Sequence, residues 1–373
     1  MRPHATAADA APPARVRPAP GGPSRPGTRP RRASALTALL VVAAVLLAGC
    51  GVRLETPAPT EPSPDAREVV RRTAVEDART VTDLAEEAAT VTADPAVTTL
   101  LEEIAGFARR HVDALGGVYD SGLPGPGEAP DATSAPPATV TTTAPVDEPP
   151  GADADGDGAQ DVAPEDATTD DVVVALVGAA QRTRASADAT RDPELARLLA
   201  SVATSEHVSA QRLAAATGSD AAAELTTGTT IVETAPSGVG AADLATVVTA
   251  EDAAAYAYEV RGAQADGDVR AAAVARAVQH RARAEAWAVV AGTDGTDQDP
   301  RRVAYELPAD EDTSALARRL ESELAQSYAS LVATAAPTSR GDVLALLSDS
   351  WQAALAWGAL PVAFPGLPEQ PAA

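Results

Sequence analysis

Three side chains able to ligate a metal, Glu251, His280 and Glu321, fall on three separate helical stripes in the last third of a 373-residue chain. Glu251 recurs at helical spacing with Leu244, Val247, Val248, Ala255 and Tyr258, so its carboxylate lies on the face that a helix would bury. A buried carboxylate requires a partner. His280 shares a stripe with Val269, Ala273, Ala284 and Trp287, and Glu321 lies at the edge of a stripe of Leu316, Leu320, Leu324, Ser327 and Leu331. Two chemistries fit these residues. Carboxylate, imidazole and carboxylate on facing helices would suffice for a single transition metal such as zinc, manganese or iron. In the preferred alternative the acids pair with His280, or with Arg276 and Arg283 as guanidinium partners, and the pairs fix helix register.

A second cluster, Asp153-Ala154-Asp155-Gly156-Asp157-Gly158, copies the first half of a calcium loop, with Asp153, Asp155 and Asp157 at alternate positions and glycine at the sixth. The second half fails, because the twelfth position is Pro164 rather than glutamate. Weak calcium binding, or capture of divalent cations by the acidic stretch as a whole, is therefore the lesser expectation beside a solvated linker. His111 and His207 stand at matching places in two similar helix pairs, and the expectation is partly exposed helix-end histidines favoured by the helix dipole. The chain contains no Gly-x-Ser-x-Gly elbow, no Gly-x-Gly-x-x-Gly loop, no Glu-x-x-His pair and no lysine. No enzyme activity and no bound cofactor are expected.

The elements that must position these residues are helical throughout. Helices are expected from Asp65 to about Thr92, then from Pro95 to Gly116-Gly117, where paired glycines supply a left-handed stop. A second pair spans 169–218 and turns at Asp192-Pro193, as the first turns at Asp94-Pro95. The pairs look like copies: Leu100, Leu101 and Ile104 follow the first Asp-Pro at the offsets of Leu198, Leu199 and Val202 after the second, so the two hairpins are expected to close as a four-helix bundle. Four further helices follow between residues 244 and 370, with Asp312 or Thr313 capping the third and Pro337 ending it. Residues 118–168, rich in Pro, Gly, Asp and Thr, read as a disordered acidic linker, and residues 219–243 as a shorter polar linker. The fold class is all-α, with two modest helical cores expected.

Cys50, the one cysteine, closes an apolar run from Ala35 to Ala48 that follows Arg25, Arg29, Arg31 and Arg32. Leu47-Ala48-Gly49-Cys50 resembles the lipobox of bacterial lipoproteins, which implies cleavage before Cys50 and diacylation of its thiol. Residues 1–49 are then a signal peptide, residues 50–64 a Pro-rich tether, and the location the extracytoplasmic face of the cell membrane. The chain beyond residue 49 has 22 arginines against 52 acidic residues, a formal charge of −30. Such a surface repels nucleic acid, so partners selected by charge are cationic envelope proteins or peptides.

Glu251 with Tyr256 and Tyr258, His280-Arg281-Ala282-Arg283, Ala304-Tyr305-Glu306-Leu307-Pro308 and the tail Phe364-Pro365-Gly366-Leu367-Pro368-Glu369 together resemble a ferritin-like domain of unknown function found near the ends of actinobacterial proteins. The resemblance implies a ferritin-like four-helix bundle over residues 244–370 and carries no assigned activity. Di-iron chemistry in such bundles needs a glutamate from each of two helices and a Glu-x-x-His pair from each of the others. Ala277, three residues before His280, breaks that pattern, and the fourth helix offers Asp349 but no histidine. The expected role is binding or structural, with a reduced metal or redox site at Glu251, His280 and Glu321 as the alternative.

Overall fold

Aspartates and one threonine start most of the helices. The computed structural model describes residues 63–120, 167–225 and 230–370, and in it Asp65 caps α1 (Ala66–Val91), its carboxylate accepting a 2.8 Å hydrogen bond from the Glu68 amide. Asp94 and Asp192 cap α2 (Pro95–Ala114) and α4 (Pro193–Thr217), each with proline at the first helical position. Thr168 and Asp171 close a reciprocal capping box on α3 (Thr169–Ala189). Asp312, not Thr313, caps α7 (Thr313–Thr334), which follows α5 (Ala241–Gln264) and α6 (Gly267–Val290) and precedes α8 (Gly341–Ala356). The described residues contain these eight helices and no strand.

The helices pair as four hairpins, α1 with α2, α3 with α4, α5 with α6 and α7 with α8. In the first bundle α1 also packs on α3 and α2 on α4, and in the second α5 packs on α7. Leu101 and Ile104 of α2 are buried, as are Leu199 and Val202 of α4, while Leu100 and Leu198 are both half-buried, so the sequence offsets mark equivalent positions. Val81, Leu101, Ile104, Val172, Leu176 and Leu213 make an apolar cluster within the first bundle.

The two bundles are joined through α4. This helix packs on α2 and α3 and also on α7 and α8, and one cluster runs from Val75 and Phe107 through Leu199 and Val202 to Leu324, Leu347 and Trp351. Small side chains make this possible: Ser201, Thr204, Ser205 and Ser209 are all buried, allowing neighbours to approach on several sides. The stretch between α4 and α5 is also packed, with Val232 buried in the shared core and the Ser237 carbonyl accepting a 2.6 Å hydrogen bond from the Ala336 amide.

Two further devices bind the bundles together. Arg340 is 1% exposed and donates to the carbonyls of Val332 and Ala335 at the end of α7 and of Ala187 and Thr190 at the end of α3, at 2.7–2.9 Å. One guanidinium thus satisfies the carbonyls that two helices leave open at their C-termini. The tail after α8 is wedged between the bundles: the Ser201 hydroxyl donates to Pro365 O at 2.7 Å and His111 donates through Nε2 to Ala363 O at 2.8 Å. Gly366 permits the wedge, because its φ is +77° and a Cβ there would lie 2.8 Å from Ala325 O.

His111 does lie in the last turn of α2, but it is buried rather than partly exposed: it is 2% exposed, edge-on to Phe364 at 5.4 Å. His207 lies in the interior of α4 rather than near its end. Val269, expected on the inner stripe of α6, is exposed in the first turn of the helix. Cys50, Asp153, Asp155, Asp157, the leader, the tether and most of the 118–168 linker lie outside the described residues.

Replacing Arg340 with alanine strands several buried carbonyls, and equilibrium urea unfolding is expected to show a loss of about 3 kcal/mol. Arg340→Lys is expected to recover only part of it, because an ammonium cannot reach both helix ends.

Candidate functional site

The buried face of each helix in the second bundle carries at least one ionisable group, and these groups meet in its centre. Glu251 and Tyr258 come from α5, Arg276, His280 and Arg283 from α6, Glu321 and Tyr328 from α7 and Asp349 from α8. Glu251, His280, Arg283 and Glu321 are all 0% exposed. On α6 the spacing of 276, 280 and 283 follows the helical repeat, which aims all three side chains inward.

Arg276 grips Glu321 with two parallel hydrogen bonds, Nε to Oε1 at 2.6 Å and Nη2 to Oε2 at 2.7 Å. Its Nη1 reaches Asp349 Oδ2 at 2.7 Å, and Arg283 Nη1 reaches the same oxygen at 2.7 Å. His280 bridges the two glutamates, with Nδ1 2.6 Å from Glu251 Oε2 and Nε2 3.0 Å from Glu321 Oε1. The Tyr258 hydroxyl donates to Glu321 Oε1 at 2.8 Å, and the Tyr328 hydroxyl donates to Glu251 Oε1. Tyr258 also stacks on the imidazole, its ring 5.5 Å away and nearly parallel.

With His280 protonated, three acids face three cations and the cluster is neutral. Burial alone would depress the imidazole pKa, but the carboxylates of Glu321 and Glu251 outweigh it and raise it above its ordinary value. Burial would likewise raise Glu321, yet His280 and Arg276 hold it well below the usual carboxylate range. Asp349 is lowered too, the Arg276 and Arg283 charges overcoming its burial. Both tyrosines are raised, by burial first and then by the carboxylate each one contacts.

These residues do not fit a metal ion. Both His280 nitrogens face carboxylates, both Glu321 oxygens are taken by Arg276, and two guanidiniums supply the positive charge that a cation would bring. Among the described residues no group of three or more His, Cys, Asp or Glu side chains is arranged to hold a metal ion. The sequence candidates Glu251, His280 and Glu321 do come together, and Arg276 and Arg283 do serve as partners. Glu321 is central rather than at a helix edge, because α7 turns Tyr328 inward where Ser327 was expected. Asp252, next to Glu251, forms a second contact set, accepting from Arg281 and, at 2.7 Å, from the Tyr305 hydroxyl. This ties the Ala304-Tyr305-Glu306 segment to α5.

The first bundle holds a buried acid that the sequence reading did not single out. Glu206 of α4 is 3% exposed and neither of its oxygens has a hydrogen-bond partner among the described residues. Burial first, and then the Asp77 carboxylate, push it up to about 8 against the opposing influence of Thr183 and Arg182. Its one sequence signal was an acid in an otherwise small or apolar stretch, Ala203 to Ala210, beside His207. His111 and His207 are both lowered to about 4 by burial, with Arg110 and Arg184 adding repulsion.

Residues 243–369 match a family described as Domain of unknown function (DUF4439), a family of the ferritin-like superfamily. No curated protein and no solved structure matches the chain. The matched region begins at α5 and ends within the wedged tail, and it contains the whole ion cluster.

Removing one partner of a buried pair leaves an uncompensated charge, so Glu321→Leu is expected to cost about 3–5 kcal/mol in urea unfolding. Arg276→Met with Glu321→Leu is expected to be less damaging than the sum of the single changes, and a double-mutant cycle measures the coupling.

For Glu206 the folded pKa lies above the unfolded value of about 4.5, so the folded state binds the proton more tightly and stability falls as pH rises from about 4.5 to 8. His111 and His207 work in the opposite direction, losing stability as pH falls from about 6.5 to 4. His280, raised, contributes fully below about 6.5 and loses its contribution as pH climbs through its folded pKa. Stability should therefore peak in mildly acidic solution. Glu206→Gln is expected to flatten the alkaline limb and to stabilise the protein by up to about 3 kcal/mol at pH 7, read from chemical denaturation at several pH values.

Proposed function

We propose that the chain is an actinobacterial cell-envelope lipoprotein, held on the extracytoplasmic face of the membrane by a diacylated Cys50, and that its ferritin-like bundle serves a binding or structural role without metal. The bidentate contact between Arg276 and Glu321 carries the second half of this reading, because it places a guanidinium among the carboxylates that a metal would need. The Leu47-Ala48-Gly49-Cys50 sequence supports the first half. Among the described residues no helix is long and apolar enough to cross a membrane, and the lipid is the proposed tether. The absence of lysine and asparagine fits a GC-rich source. A formal charge of −30 beyond residue 49 suits cationic envelope proteins or peptides as partners.

One preparation tests both halves. Protein isolated from its native membranes without chelator is expected to begin at Cys50 and to carry acyl chains on that residue, shifting to the unprocessed form in Cys50→Ala. The same sample is expected to hold transition metal far below one ion per chain and to melt identically with and without chelator. Stoichiometric metal that disappears in Glu251→Ala overturns the metal-free reading, and a Cys50→Ala protein that stays acylated overturns the anchor.

A further inference from the structure

Helix α6 has two apolar faces, and only one of them is covered. Ala273, Ala277, Ala284 and Trp287 point into the protein. On the other side Val274 and Val278 are 50% and 65% exposed, with Ala271, Ala275 and Ala282 also exposed around them. With Gly262 and Ala263 of α5, Val274, Val278 and Ala282 line an open groove of about 630 Å³. β-Branched residues along an exposed face gain neither helix propensity nor burial, and a contiguous stripe of them marks a contact surface.

We propose that this groove binds a second copy of the same chain, with α6 of one copy lying antiparallel on α6 of the other about a two-fold axis at Val278. The stripe is laid out symmetrically about that residue. Val274 and Ala282 lie four positions to either side, Ala271 and Glu285 seven, and Gly267 and Val289 eleven, all exposed and all close to whole helical turns from Val278. A two-fold axis there sets Val274 of each copy against Ala282 of the other, large against small, and makes the contact self-complementary. It sets Ala271 of each copy against Glu285 of the other, so that Arg270, the next residue along, flanks that glutamate, twice over. Arg270 Nε and Nη2 cap the carbonyls of Gly262 and Ala263 at 3.1 and 2.8 Å, which leaves Nη1 for an incoming carboxylate.

Charge argues for a second copy over a cationic partner. The chain is strongly acidic, yet the charged residues lining this groove are two arginines, Arg270 and Arg281, and two glutamates, Glu259 and Glu285. Arg281 is already tied to Glu259 and Asp252. A balanced face on an otherwise repulsive surface is where two acidic copies can meet, whereas a basic ligand would be drawn to the acidic remainder.

The test uses the detergent-solubilised full chain. Val278→Cys is expected to form a disulfide-linked dimer on mild oxidation, because the axis holds the two thiols together, while Val303→Cys, at a fully exposed loop position, stays at the level of the parent chain. In sedimentation, Glu285→Arg is expected to weaken self-association about tenfold or more, and Arg270→Glu added to it to restore the association. Each variant is checked for unchanged helical content by circular dichroism. A parent chain that sediments as a monomer at every concentration, equal cross-linking at positions 278 and 303, or no restoration in the double charge reversal overturns the proposal.

Discussion

Six charged groups in the middle of four helices survive burial because they neutralise one another. Arg276, His280 and Arg283 all project from α6, and their carboxylate partners come one each from α5, α7 and α8. The helices can therefore take few registers other than the observed one, since sliding any of them would leave a charge buried without its counterpart. An apolar core of the same volume would hold the helices together without saying which positions must face each other. The two tyrosines complete this constraint by filling the carboxylate lone pairs that the cations leave open.

The second bundle is not finished by its own four helices. Trp351, Phe364 and Leu367 are buried in an apolar cluster that also contains Leu199, Val202 and Phe107 from the first bundle. Arg340 then fastens the end of α3 to the end of α7, and the Thr338 amide donates to Asp188 O at 2.8 Å with Thr338 itself at a φ of +66°. A β-branched residue in the left-handed region is strained by roughly 1–2 kcal/mol, which the surrounding contacts between the bundles offset. The family match begins at residue 243, so the partner of its tail is supplied by sequence outside the matched region.

What could be read from the sequence divides along local and distant causes. Helix starts at Asp65, Asp94, Asp192 and Asp312 were legible because a capping carboxylate acts within three residues of itself. Glu251 and His280 were legible as buried because each interrupts an apolar stripe, and the guanidinium partners because only arginine carries permanent positive charge in this chain. Other features answer to residues far away. The burial of His111 depends on Ala363 and Phe364, and the burial of Ser201 on Pro365, none of which its own helix announces. The central position of α4 was hidden for a related reason: serine, threonine and glutamate read as solvent-facing, yet here their small or neutral forms let the helix be surrounded. Glu321 was placed one residue off centre because an ion pair obeys no hydrophobic period.

The wedged tail also sets an order of events during synthesis. The hydrogen bond from His111 to Ala363 closes over 252 residues, and that from Ser201 to Pro365 over 164. Contacts of such sequence separation form slowly, and the surfaces that await them stay exposed meanwhile. α2 and α4 leave the ribosome long before the segment that covers them, so the apolar seam between the bundles stays open until residues 363–367 are made. The nascent chain thus carries an uncovered apolar seam over the whole interval between the making of α2 and the making of the tail, and is open to association through that seam until the tail docks.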